Sequence, residues 1–108
     1  MSAGIPPALL ALDKRLIALP GVRKGTSRFE GTTAYFLGST EIAHLHGRRE
    51  VDLRLTREII HENRERLADD PRVVFRKSRS DWVALRIQGP ADVEFVCGWF
   101  EQAWRAHQ

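Results

Sequence analysis

The amino-acid sequence predicts an α+β fold, a two-layer sandwich in which helices cover one face of a mostly antiparallel sheet of about five to six strands. Three observations carry this. Residues 41–46 and 51–55 alternate apolar and polar on either side of Gly47 and a charged tip, the pattern of a β-hairpin. Further strand-like stretches lie before and after that hairpin. Amphipathic stripes at helical spacing stand at both ends of the chain. The expected order is α-β-β-β-β-α-β-β-α, in one domain over residues 1–108.

The first helix is expected over 6–19. Pro6 and Pro7 suit a first turn, Leu9, Leu12, Leu16 and Leu19 recur on one face, and Pro20 with Gly21 stops it. Sheet hairpins then occupy 27–55, beginning with short strands at 27–30 and 33–37 joined at Gly31. In the hairpin that follows, one parity carries Ala43, Leu45, Val51, Leu53 and Leu55, the other Ile42, His44, His46, Asp52 and Arg54. A one-residue slip turns a strand over, so keeping the apolar set on one face places both histidines, Asp52 and Arg54 together on the other. The same alternation points Glu41 away from them.

A helix follows over 57–67, with Thr56 as N-cap, Glu58 in its first turn and Ile59, Ile60 and Leu67 facing inward. Strands across 73–87 surround a polar turn, and a last helix spans 90–106 behind Gly89 and Pro90. Its apolar stripe is Val93, Val96, Cys97, Phe100, Ala103 and Trp104. Phe95 and Trp99 form a second strip, to be covered by the first helix or used as a subunit contact in a homodimer.

With 43% hydrophobic and 29% charged residues, the chain of 108 residues belongs with globular rather than disordered sequences. The N-terminal apolar run is broken at Asp13 and has no basic flank, so neither a secretory signal nor a membrane span is predicted, and a cytoplasmic protein is expected. A single cysteine, Cys97, allows no internal disulfide and no zinc-finger spacing. No Gly-rich phosphate loop and no glycine-framed serine elbow occurs.

The expected function is a ligand-binding or interaction module for a small molecule or protein, acting through the open sheet face with His44, His46, Asp52 and Arg54. Trp82 and Arg86 share a parity and extend that set, the tryptophan for stacking and the arginines for gripping an anion. A first alternative is a metal-dependent enzyme. His44 and His46 project the same way, and Asp52 completes a two-histidine, one-carboxylate set for a divalent metal. A second alternative is nucleic-acid binding by the basic segment Arg72, Arg76, Lys77 and Arg79, which a net charge of +3 permits without demanding.

The residues Glu41-Ile-Ala-His-Leu-His46, Val51-Asp-Leu-Arg-Leu55 and Trp82-Val-Ala-Leu-Arg86, with a terminal amphipathic helix, resemble the small bacterial luciferase-family domains. Typical members read phenylalanine-alanine-histidine-leucine-histidine, then a strand ending in leucine-arginine-leucine-proline. Here Ile42 replaces the phenylalanine, Asp52 stands where another histidine is expected, and Thr56 replaces the proline. The resemblance implies this fold, assigns no catalytic residues, and does not extend to the much longer flavin-dependent luciferases. A second, weaker resemblance, through Trp82-Val83 before the last helix, is to the MmcQ/YjbR-type domains.

Overall fold

A computed structural model describes residues 5–77 and 80–108. The fold is α+β: a six-stranded antiparallel sheet with the helices on one side. Its elements are α1 (Pro7–Ile17), β1 (Val22–Thr26), β2 (Thr33–Leu37), β3 (Thr40–His46), β4 (Glu50–Arg54), α2 (Arg57–Glu62), α3 (Arg64–Asp69), β5 (Val73–Phe75), β6 (Trp82–Arg86) and α4 (Ala91–Ala106). The sheet order is β1-β2-β3-β4-β6-β5, so β6 inserts between β4 and the short edge strand β5.

The core is a layer of sheet residues under two long helices. Leu12 and Leu16 of α1 and Val96, Phe100 and Ala103 of α4 pack on Tyr35, Ala43, Val51, Leu53, Val83 and Leu85, all essentially inaccessible to water. Each such aliphatic or aromatic side chain contributes about 1.5–3 kcal/mol. Tyr35 meets Phe100 edge-on and donates from its hydroxyl to Asp13 of α1 at 2.7 Å, so the polar tip of a buried ring is satisfied. Trp104 donates its indole N–H to the Pro20 carbonyl, and Arg15 pairs with Glu94, which fastens α1 along α4.

Four details depart from the sequence reading. The first strand is Val22–Thr26 rather than 27–30. Residues 27–32 form a turn instead, in which the Ser27 hydroxyl accepts from the Phe29 and Glu30 amides at 3.1 Å, and Gly31 takes a positive φ of 70°. A serine that bonds its own neighbouring backbone offers the chain a turn in place of a ladder. The strand β1, carrying Arg23 and Lys24, is an edge strand and lacks strong alternation. The middle helix breaks at Asn63, whose side chain donates to the Ile59 carbonyl and whose φ of −111° leaves the helical range.

The third departure lies in the helix cover. Trp99 is only 9% exposed and belongs to the core. The Arg66 guanidinium lies 4.9 Å over its ring and Arg72 lies 3.7 Å over Phe95, so two cations from α3 and the loop after it cap the aromatic strip. Trp104 sits on the α1 side and is only partly buried.

The fourth decides the site. Between β2 and β3 the register is Ala34↔His44 and Tyr35↔Ala43, then Phe36↔Glu41 and Leu37↔Thr40. Ile42 is the extra residue of a β-bulge, and side-chain parity reverses on passing it. Ile42 therefore turns into the core, fully buried, and Glu41 turns to the face opposite the helices. That face is covered at its centre, since Phe36, Glu41, His44 and Asp52 are all buried. Among the described residues, no helix is long and apolar enough to cross a membrane.

Candidate functional site

The β3–β4 register places His44 directly opposite Asp52 and His46 opposite Glu50, as the hairpin parity requires. His44 and Asp52 lie in a row with Ala34 on β2 and Ala84 on β6, so alanines flank the imidazole-carboxylate pair on both outer sides. His44 Nε2 is 2.9 Å from Asp52 Oδ2. Its other nitrogen, Nδ1, is 2.9 Å from Glu41 Oε2, a contact that exists only because of the bulge.

Glu41 is the anchor of this face. Its Oε2 also accepts from the Ser27 hydroxyl and its Oε1 from the Arg28 amide, both at 2.8 Å, which ties the 27–32 turn to β3. Asp52 is held from its other oxygen by Arg76, Nη2 to Oδ1 at 2.5 Å. A chain of polar groups thus runs Ser27–Glu41–His44–Asp52–Arg76 across four segments. No buried side-chain nitrogen or oxygen among the described residues lacks a partner.

Burial alone would disfavour the charged form of His44, yet Asp52 and Glu41 on its two nitrogens outweigh it and hold its pKa above the ordinary 6.5. Burial likewise pushes Asp52 up, and the hydrogen bonds from His44 and Arg76 more than offset it, leaving the carboxyl below 3.8. The two shifts have one cause, the contact between this imidazole and this carboxylate, each favouring the charged form of the other.

Above this chain lies a depression of about 320 Å³, lined by Phe29, Glu30, His44, Asp52, Arg76, Ser80 and Trp82. Trp82 is 5.2 Å from the His44 ring, and Phe29 meets Trp82 edge-on at 5.7 Å while remaining 68% exposed. His46 bonds Glu30 Oε1 through Nδ1 at 2.7 Å and stands 3.9 Å from Asp52 Oδ2.

Residues 39–103 match the family model described as Luciferase domain. The chain belongs to the Luciferase domain family. The match takes in β3, β4, α2, α3, β5, β6 and most of α4, and so includes Glu41, His44, Asp52, Arg76 and Trp82 but not the turn that carries Ser27, Phe29 and Glu30. No curated protein and no solved structure matches it.

In this luciferase domain the remaining predicted residues fall in different places. Arg54 lies 3.8 Å from Asp81 and Arg86 3.9 Å from Glu50, so both arginines face acids. The basic segment divides. Arg72 is bound by Asp70 and Asp92 and stacked on Phe95, Arg76 joins the site through Asp52, Lys77 borders a separate depression beyond Phe75, and Arg79 lies outside the described residues. Cys97 is half-buried, with its thiol pushed up first by burial and further by Glu94 and Glu101, the reverse of what activates a thiolate.

Among the described residues, Glu30, His44 and Asp52 each offer one ligand atom such that all three lie within 4.8 Å of one another. The predicted set His44, His46 and Asp52 is less compact, because His46 is drawn to Glu30. Sequence reasoning missed Glu41, Phe29 and Glu30. Glu41 was hidden by the bulge, and the other two by reading their turn as a strand. The one available signal was Ser27 four residues before Gly31, a turn-forming pair.

Proposed function

We propose that the face opposite the helices is a ligand-binding face, centred on the depression between Phe29, Trp82 and the His44–Asp52 pair. The observation that carries this reading is Phe29, a large ring left 68% exposed at the rim of a depression whose floor is a buried, fully hydrogen-bonded polar chain. Apolar walls with a few convergent polar groups are the ordinary make-up of a small-molecule site. The ligand that fits has a flat apolar part, to lie against the surface that the Phe29 and Trp82 rings form together, and a hydrogen-bonding group for Asp52, Arg76 or Ser80.

Nucleic-acid binding is less well supported. Arg72 is committed to Asp70, Asp92 and Phe95, and Arg76 to Asp52, which removes two cations from the ribbon that phosphates would need.

The test is a nuclear magnetic resonance titration of the full chain with a panel of planar heterocyclic amines, carboxylates and phenols. Binding at this site moves the Trp82 indole signal and leaves those of Trp99 and Trp104 in place, and Phe29→Ser weakens it at least tenfold. Shifts confined to Trp99, beside the separate depression formed with Phe95 and Arg66, would overturn the assignment.

A further inference from the structure

The arrangement of partners around His44 points to a second occupant of the same face. Glu41 is aimed at Nδ1 and is itself fixed by Ser27 and Arg28, so it selects the tautomer with its proton on Nδ1. The Nε2 lone pair then faces Asp52 Oδ2 at 2.9 Å, with a Glu30 oxygen close by. A lone pair opposed to carboxylate oxygens is repulsive unless something positive lies between them. A second proton on the imidazole meets that demand, and so does a metal ion.

We propose that Glu30, His44 and Asp52 bind a first-row divalent transition-metal ion. Each of the three has a partner at the atom, or on the side, that the ion would not use. Glu41 holds His44 through Nδ1, Arg76 holds Asp52 through Oδ1, and His46 holds Glu30 through Oε1. Carboxylate-to-histidine support of this kind is the usual outer layer of a metal site, fixing tautomer and orientation. Charge agrees with it. In the ion-bound form His44 carries no second proton, so the carboxylates of Glu30, Glu41 and Asp52 outnumber the Arg76 guanidinium and leave an excess of negative charge that a divalent ion offsets.

The side chains of Glu41, His44 and Asp52 are at least nine-tenths buried, so that imbalance is costly unless a second imidazole proton or a metal ion offsets it. The 2.9 Å gap between Nε2 and Oδ2 opens by only a few tenths of an ångström to reach the roughly 3.3 Å between tetrahedral ligands of a zinc ion at about 2.0–2.1 Å. An imidazole with two carboxylates selects Zn²⁺, Mn²⁺ or Fe²⁺ over Mg²⁺ and Ca²⁺. Coordination positions toward Phe29 and Trp82 stay open, where the planar ligand would be met by the ion. In that respect the inference rests on the ligand-binding reading.

The test uses the full chain after chelator treatment and dialysis. Calorimetric titration with Zn²⁺ is expected to show one site per chain. Glu41→Gln should weaken it about 10–100-fold and His44→Ala by more, while Mg²⁺ gives no comparable heat. Mn²⁺ added in substoichiometric amounts to the unmodified protein provides a readout that needs no variant: the ion broadens the Trp82 indole signal well before those of Trp99 and Trp104, which lie on the helix side of the sheet. Zn²⁺ binding unchanged in a folded His44→Ala protein, or Mn²⁺ that fails to broaden Trp82 selectively, would overturn the site. Planar-ligand binding that persists in chelator while both metal results are negative would remove the ion and leave the ligand-binding reading standing.

Discussion

Replacing Glu41 by alanine tests the bulge on which the site depends. The carboxylate is 5% exposed and serves three donors: the Ser27 hydroxyl and Arg28 amide at 2.8 Å and the His44 ring at 2.9 Å. Deleting it removes the acceptor of the Ser27 hydroxyl, the Arg28 amide and the Nδ1 of His44, of which Ser27 and His44 are buried. Each unsatisfied buried donor costs about 1–3 kcal/mol, less where a hydroxyl can rotate to another acceptor. The sum is a loss of about 3–5 kcal/mol, the range found when one partner of a buried charged pair is removed.

For a domain of this length, with total stability on the order of 5–15 kcal/mol, that loss lowers the melting temperature by about 15–30 °C. Urea unfolding followed by tryptophan fluorescence and circular dichroism measures it, with an unchanged m-value confirming that the native state is otherwise intact. Glu41→Gln, which keeps an oxygen for the Arg28 amide, should lose only about 1–2 kcal/mol. A loss below about 0.5 kcal/mol for Glu41→Ala, typical of an exposed side chain, would mean that strand parity runs unbroken through Ile42 and that the polar chain does not exist.

Two further outcomes follow from local geometry. Thr56 caps α2 by accepting from the Ile59 amide at 3.3 Å, but does so at φ 82° and ψ 148°, a region that glycine alone adopts freely. Thr56→Gly releases about 1–3 kcal/mol of strain against a smaller cost in cap and chain entropy. The expected result is a net gain of about 1 kcal/mol in urea unfolding, and a loss instead would show that the residue is unstrained. Asp92 is held low first by the Gln88 amide and then by Arg72, burial opposing them. A depressed carboxyl contributes stability that is fully present above its unfolded value of 3.8 and is lost as pH falls through the folded one. Stability measured below pH 4 should therefore fall less steeply with acidification in Asp92→Asn than in wild type, and superimposable slopes would show that Asp92 ionises as in the unfolded chain.

The hairpin register was legible in the sequence because it rests on a strict period. Ala43, Leu45, Val51, Leu53 and Leu55 share a parity, burying them fixes which way His44 and Asp52 point, and the structure sets the two opposite each other. Proline and glycine marked the ends of α1, and the stripe on α4 named most of its buried face, since helical spacing alone determines what shares a side. The α+β class and element order followed from those local patterns.

What surrounds His44 was settled only by tertiary structure. A bulge adds one residue without any signature in the alternation, and here it exchanges the faces of Glu41 and Ile42 at a position where both choices look acceptable locally. Phe29 and Glu30 reach the site through a turn fixed by Ser27 and by Glu41, two residues 14 apart in sequence. Arg76, 24 residues beyond Asp52, reaches it from the end of β5 across β6, where Ala84 lies between them. Sequence periodicity determines which face a side chain takes; only the packed sheet determines which distant side chains share that face, because their approach depends on strand order and not on any local spacing.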